Sequence, residues 1–154
     1  MIDLLGNISL LDQSKHGFLC SRSTKSSVIL PCLDWAVECS RGVVPVISTF
    51  HSEIENAVLD ILLKGTCPII LVLGRNQYKR IPPKLQTTFD NNRLLIVSVT
   101  NHNRINRESA LLANRYVCDQ SHDITFGFIS PDSSLASLYE NVKSTKKTKL
   151  LVGI

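Results

Sequence analysis

The chain has 154 residues, 44% of them apolar and 19% charged, which fits one folded domain with a real core and excludes wholesale disorder. Seventeen Lys+Arg stand against 13 Asp+Glu, and the formal net charge of +4 equals what Lys143, Lys146, Lys147 and Lys149 alone contribute. The longest apolar run, near Pro68–Leu73, is far short of the roughly 18 residues a bilayer span needs, so no membrane partner is expected.

The opening MIDLLGNISLLDQ carries Asp3 and Asp12 and no basic stretch, so it does not read as a secretory leader. Residues His16–Arg22 read as a first strand. Ser27–Arg41 follows with Ile29, Leu33, Ala36 and Val37 at helical spacing, Pro31 in its first turn and Gly42 at its end. Val43–Ser48 is a second strand. Pro45 cannot donate to a ladder, so either pairing begins after it or the strand lies at an edge. Ser52-Glu53-Ile54-Glu55 is a capping box opening a helix that Gly65 closes. Cys67–Leu73 (CPIILVL) does not alternate, the mark of a parallel strand buried on both faces. Pro82-Pro83 starts a short helix to about Asn91, and Arg93–Val99 is a fourth strand. Asn106–Gln120 is a helix and His122–Ile129 a fifth strand. Asp132 caps a helix to about Val142, and Lys149–Val152 suggests a small sixth strand.

This alternation predicts a single Rossmann-like α/β domain over 1–154: three layers, with an open, mostly parallel sheet and helices on both faces. The expected strand order, counting from His16–Arg22, is 3-2-1-4-5. Residues 143–149 (KSTKKTK) read as a solvated, flexible basic segment. Five cysteines, an odd number without a C-x-x-C pair, argue against a disulfide framework or a zinc site and for a reduced, cytoplasmic protein.

Ligands of open α/β sheets bind beyond the carboxyl ends of the strands, where the strand order reverses. Apart from the four C-terminal lysines there are 13 cations, and seven of them fall in loops at that rim: Arg22, Lys25, Arg75, Lys79, Arg80, Arg104 and Arg107. Only Glu53, Glu55 and Asp132 of the 13 acids fall there. Hydroxyls, Arg forks and helix-start N–H groups together suit phosphate oxygens. The sequence lacks G-x-G-x-x-G, the P-loop and G-x-S-x-G, so no nicotinamide, flavin or other cofactor is expected and no catalytic residue is assigned. The histidines show no metal-binding spacing, and no metal is expected.

Six segments, collinear over roughly 4–140, resemble the Rossmann-like domain of the DNA-processing protein family, DprA/Smf. They are Cys20-Ser21-Arg22 for its G-S-R turn, Ser48 to Glu55 for its S-G-x-A-x-G-I-D loop, and Val72-Leu73-Gly74 with Ile81-Pro82-Pro83 for its V-L-G turn and Pro segment. Leu94-Leu95-Ile96-Val97-Ser98 matches its L-L-I-S-E strand, Ala113-Asn114-Arg115-Tyr116-Val117 its R-N-R helix, and Asp132-Ser133-Ser134-Leu135 its S-G-S-L turn. Thr49 and Glu53 stand where the family has glycines. The resemblance implies a nucleotide- or single-stranded-nucleic-acid-binding domain, in a family that delivers DNA to a recombinase. The ligand residues it and the rim together suggest are Ser21, Arg22, Ser48, Gly74, Arg107, Asn114, Arg115, Ser133 and Ser134. With the expected strand order, Arg22 and the loop Asn101–Arg107 would converge at the reversal point, with Ser133-Ser134 nearby. Two other readings stay open: a nucleoside-phosphate hydrolase or transferase using Glu53 or Glu55, and a protein-interaction module presenting Trp35 and its helix. A homodimer is compatible with each.

Overall fold

A computed structural model describes residues 2–153. The strands are β1 (Asp3–Gly6), β2 (His16–Leu19), β3 (Val46–Ser48), β4 (Ile69–Leu73), β5 (Leu94–Ser98), β6 (Asp123–Phe126) and β7 (Lys147–Leu150). The helices are α1 (Ser26–Ser40), α2 (Glu53–Leu63), α3 (Pro83–Asp90), α4 (Arg107–Gln120) and α5 (Ser134–Val142). The strands form one sheet in the order β1-β5-β4-β3-β2-β6-β7. Every pairing is parallel except that of β1 with β5.

The pleat separates two cores. Phe18, Val46, Ile69, Leu71 and Ile96 face one side, packed under α1, α2 and Leu85 of α3. Leu19, Ile47, Ile70, Val72 and Val97 face the other, with Val117 of α4 and Leu138 of α5. All five residues of β4 are buried, as an unalternating apolar run requires of a central strand. Regular pairing of β3 begins after Pro45, whose carbonyl accepts from the His16 N–H at 2.9 Å. This settles the Pro45 question in favour of an interior strand.

The observed order corrects the expected one. The chain steps outward three times, from β2 to β5, before returning, so the strand after α3 lies beside β4 and not beside β2. The cause is where α3 packs. Leu85 joins the core under α1 and α2, so the β4–β5 connection continues on that face and in that direction. The return is made by α4, which packs across β4, β3 and β2 on the opposite face and delivers β6 next to β2. Strand order therefore reverses between β2 and β6.

Three smaller expectations are revised. Helix α1 starts at Ser26, which puts Pro31 in its second turn, where it leaves the Ser27 carbonyl without the usual helical donor. The N-terminal segment, to which the sequence pattern assigns no element, supplies the antiparallel edge strand β1. Its four residues are too few for a periodic signal, and they are held by β5. The last strand runs Lys147–Leu150, so the basic stretch 143–149 is in good part ordered: Leu150 packs on the α5 side, and the Lys146 ammonium donates to the Cys118 and Ser121 carbonyls at the end of α4.

Gly74 follows β4 where α4 begins. A Cβ there would lie 2.9 Å from the Ser109 carbonyl oxygen, a backbone atom that cannot step aside. Gly74→Ala is therefore expected to destabilise the fold by about 1–3 kcal/mol, the scale of an overpacked contact. Denaturant unfolding should show a lower midpoint at unchanged m.

Candidate functional site

A cavity of about 540 Å³ opens along the carboxyl edge of the parallel strands. It straddles the sheet, since both Leu71 and Leu73 of one face and Val72 of the other line it. It includes the reversal point, lined by Cys20, Ser21 and Arg22 after β2 and by Ser130 and Ser133 after β6. Ser21 ties the two sides of that point together: its N–H donates to the Phe128 carbonyl at 2.8 Å and its hydroxyl accepts from the Ser130 N–H at 3.0 Å. Arg22 comes next, exposed on the cavity wall, with no carboxylate within ion-pair distance among the described residues.

The loop after β3 is shaped by Glu55. This carboxylate, 4% exposed, accepts from the Cys20 N–H at 2.9 Å, the Thr49 hydroxyl at 2.7 Å and the His51 N–H at 2.9 Å, and caps Ser52 at the start of α2. Burial pushes its pKa above the ordinary carboxylate range, and these donors pull against that shift. Oε1 is taken up by the loop and the helix start and Oε2 by the Cys20 N–H, so Glu55, which also lines the cavity, has a structural duty. Glu53 is exposed and does not line the cavity.

Helices α2, α4 and α5 begin on side-chain caps, supplied by Ser52, Asn106 and Ser133. Helix α1 does not: Lys25 occupies its N-cap, and a lysine offers no acceptor. The Val28 and Ile29 N–H groups bond to the Lys25 carbonyl, which leaves the first two amides, of Ser26 and Ser27, without a protein acceptor among the described residues. They follow Arg22 in the chain by four and five residues, and neither Ser26 nor Ser27 lines the cavity.

Ser21, Arg22, Gly74, Asn114, Ser133 and Ser134 all line the cavity, so six of the nine sequence candidates come together. The Asn114 side chain makes no hydrogen bond to the protein among the described residues, whereas the Ser133 hydroxyl is engaged by the Ala136 N–H and the Ser130 carbonyl. Ser48 is fully buried, outside the cavity lining, and accepts from the Phe50 N–H at 3.1 Å, where Phe50 adopts a left-handed φ of 49°. Arg107 and Arg115 are exposed and do not line the cavity. The convergence of Arg22 with the loop Asn101–Arg107 does not occur, because β5 stands three strands from β2, roughly 14 Å away. Only Ile105 of that loop reaches the cavity. The pairing of Arg22 with Ser133-Ser134 does occur, since β6 adjoins β2.

Arg75 and Tyr78 also line the cavity, and the guanidinium lies 5.4 Å from the ring centroid. Trp35 is on the α1 side of the sheet, stacked on Phe18 at 4.7 Å, and does not line the cavity. The described residues contain no His/Cys/Asp/Glu group suited to a metal ion, and no described helix is long and apolar enough to cross a membrane.

Two solved structures share this architecture. DNA processing protein A (DprA) of Streptococcus pneumoniae superposes with a TM-score of 0.79 at 15% identity, over 99% of this chain and 55% of that one. DNA processing protein A of Helicobacter pylori, whose structure concerns its single-stranded DNA binding mode, superposes with a TM-score of 0.76 at 17% identity, over 99% of this chain and 72% of that one. The chain has the Rossmann-like fold of DprA. At these identities the likeness is one of fold, and the chain spans about half the length of the S. pneumoniae protein. No protein-family model and no curated protein matches the sequence.

Three backbone N–H groups and the Thr49 hydroxyl face Glu55, and Glu55→Gln puts an N–H₂ among them much as the protonated carboxyl puts an O–H there. Wild type and Glu55→Gln should therefore have similar stability in acid. A carboxyl with a raised pKa favours the fold most in its protonated form, and that contribution fades as pH rises through the raised value. Wild type should lose stability relative to Glu55→Gln across that rise, as read by denaturation across pH.

Proposed function

We propose that this chain binds the phosphate of a nucleotide or of single-stranded nucleic acid at the β2/β6 reversal point, without catalysing a reaction. One observation carries the reading. An exposed Arg22 without an acidic partner among the described residues stands on the wall of a sizeable cavity, a few residues ahead of the uncapped start of α1. A guanidinium fork and two free amides at the positive end of a helix dipole suit a phosphate's oxygens. Ser134 and Asn114 add groups from the other side of the sheet. The single-stranded DNA binding named for the H. pylori structure of this fold supports the same ligand class.

The occupied oxygens of Glu55 and the position of Glu53 outside the cavity weigh against a hydrolase or transferase at this site. A reduced, cytoplasmic setting accords with the five free thiols.

The reading is tested by oligonucleotide binding as a function of salt. Affinity for a single strand should fall with a log–log slope of about 0.7 per phosphate contacted. Arg22→Ala should cost about 1.5–3 kcal/mol, the scale of a charged hydrogen bond, and should flatten that slope by about one contact. A salt-independent affinity, or one that Arg22→Ala leaves unchanged, contradicts it.

A further inference from the structure

The cavity is larger and more apolar than a phosphate needs. From the reversal point it runs along the carboxyl edge to β4 and enters a slot between α2 and α3. That slot is walled by Phe50, Leu59, Leu71, Leu73 and Leu85, all of them core residues on the α1 side of the sheet. Each keeps a small exposed area, from 2% to 6%. Aliphatic surface facing an open cavity is costly to hydrate, and pockets of this size with an apolar lining and a few polar groups accept small organic ligands. The margin carries the polar groups: Thr49, His51 and Asn56 line the cavity close to the slot. Tyr78 stands half-buried at the same wall, with Arg75 against its ring. Lys84, which also lines the cavity, is turned onto Asn56 and Asp60, each at 3.2 Å.

We infer that the slot between α2 and α3 takes the base of a nucleoside 5′-phosphate unit whose phosphate rests at Arg22, so that the ligand is recognised by its base as well as its charge. This deepens the phosphate-binding reading and rests on it. The distance favours one nucleotide: from β2 to β4 is two inter-strand spacings, roughly 10 Å, which a nucleoside phosphate bridges and a phosphate alone does not. The chemistry favours a base over an acyl chain. A flat ring with apolar faces and a hydrogen-bonding edge matches an apolar floor bordered by the His51 imidazole, while the Thr49 hydroxyl and the Asn56 carboxamide already hold Glu55, Phe50 and Lys84. Tyr78 supplies an aromatic surface of the kind on which bases stack.

The nucleotide can be free or part of a single strand. Calorimetric titration of the whole chain with inorganic phosphate, ribose 5-phosphate, the four common nucleoside 5′-monophosphates and a short single-stranded oligonucleotide separates the cases. At least one monophosphate should bind about tenfold or more tighter than ribose 5-phosphate, the scale of one stacked base. Leu59→Phe, which narrows the slot, and Tyr78→Ala, which removes the ring without filling a core, should each shrink that gap while leaving ribose 5-phosphate affinity in place. A monophosphate that binds as tightly as the oligonucleotide identifies the free nucleotide as the source. An oligonucleotide that binds tighter, and that the monophosphate displaces, identifies a strand. Equal affinity for the monophosphates and ribose 5-phosphate overturns the base slot but leaves the phosphate site standing. Failure of every phosphate probe to bind, with no response to Arg22→Ala, overturns the phosphate site and the slot with it.

Discussion

The Glu55 carboxylate is where the crevice is held together. It lies at the third position of α2, where the capping box alone would make it a local device. Its second oxygen instead accepts the Cys20 N–H, 35 residues away at the end of β2, while the first gathers Thr49 and His51 from the loop after β3. One buried side chain thus fixes two strand ends and the start of a helix relative to one another. Ser21, next to Cys20, carries the restraint across to the loop after β6 through Phe128 and Ser130. Arg22 projects from this frame, and its position over the cavity follows from bonds that residues Cys20 and Ser21 make to other elements.

That arrangement also explains how the chain dispenses with the glycines expected after β3. A glycine-rich turn lets backbone approach a phosphate through its own N–H groups. Here Thr49 and the amide of His51 are turned onto Glu55, and Phe50 takes a left-handed φ with its ring in the core. The amides left without a protein acceptor among the described residues are one strand over, at the uncapped start of α1.

Much of the fold was legible from local pattern. CPIILVL marked a doubly buried strand, S-x-x-E marked the start of α2, and strand–helix alternation implied a parallel sheet. Strand order was not legible, because it depends on which face α3 covers, and that is settled by the tertiary packing of Leu85 and Phe89 of this short helix. β1 escaped notice because four residues carry no usable period. Ser21, Arg22, Gly74, Asn114, Ser133 and Ser134 come together at the cavity, a placement for which the carboxyl-edge rule needs little more than strand ends. A hydroxyl at a strand end reads the same whether it faces a cavity or its own loop, and that of Ser48 faces its loop. Arg107 and Arg115 stand out by charge and by motif, but both are exposed on α4 and outside the cavity lining. The apolar slot had no sequence signature, since its leucines read as ordinary core. The missing cap of α1 did have one: a lysine where Ser, Thr, Asp or Asn is usual.

We propose that phosphate is held at the β2/β6 reversal point by Arg22 and the first amides of α1. A crystal structure of the chain with a nucleoside 5′-monophosphate shows strand order, crevice and ligand together. The phosphate is expected within hydrogen-bond distance of the Arg22 guanidinium and of the Ser26 or Ser27 N–H. A nucleotide bound away from the carboxyl edge, or at that edge with Arg22 turned to solvent and the start of α1 empty, would contradict it.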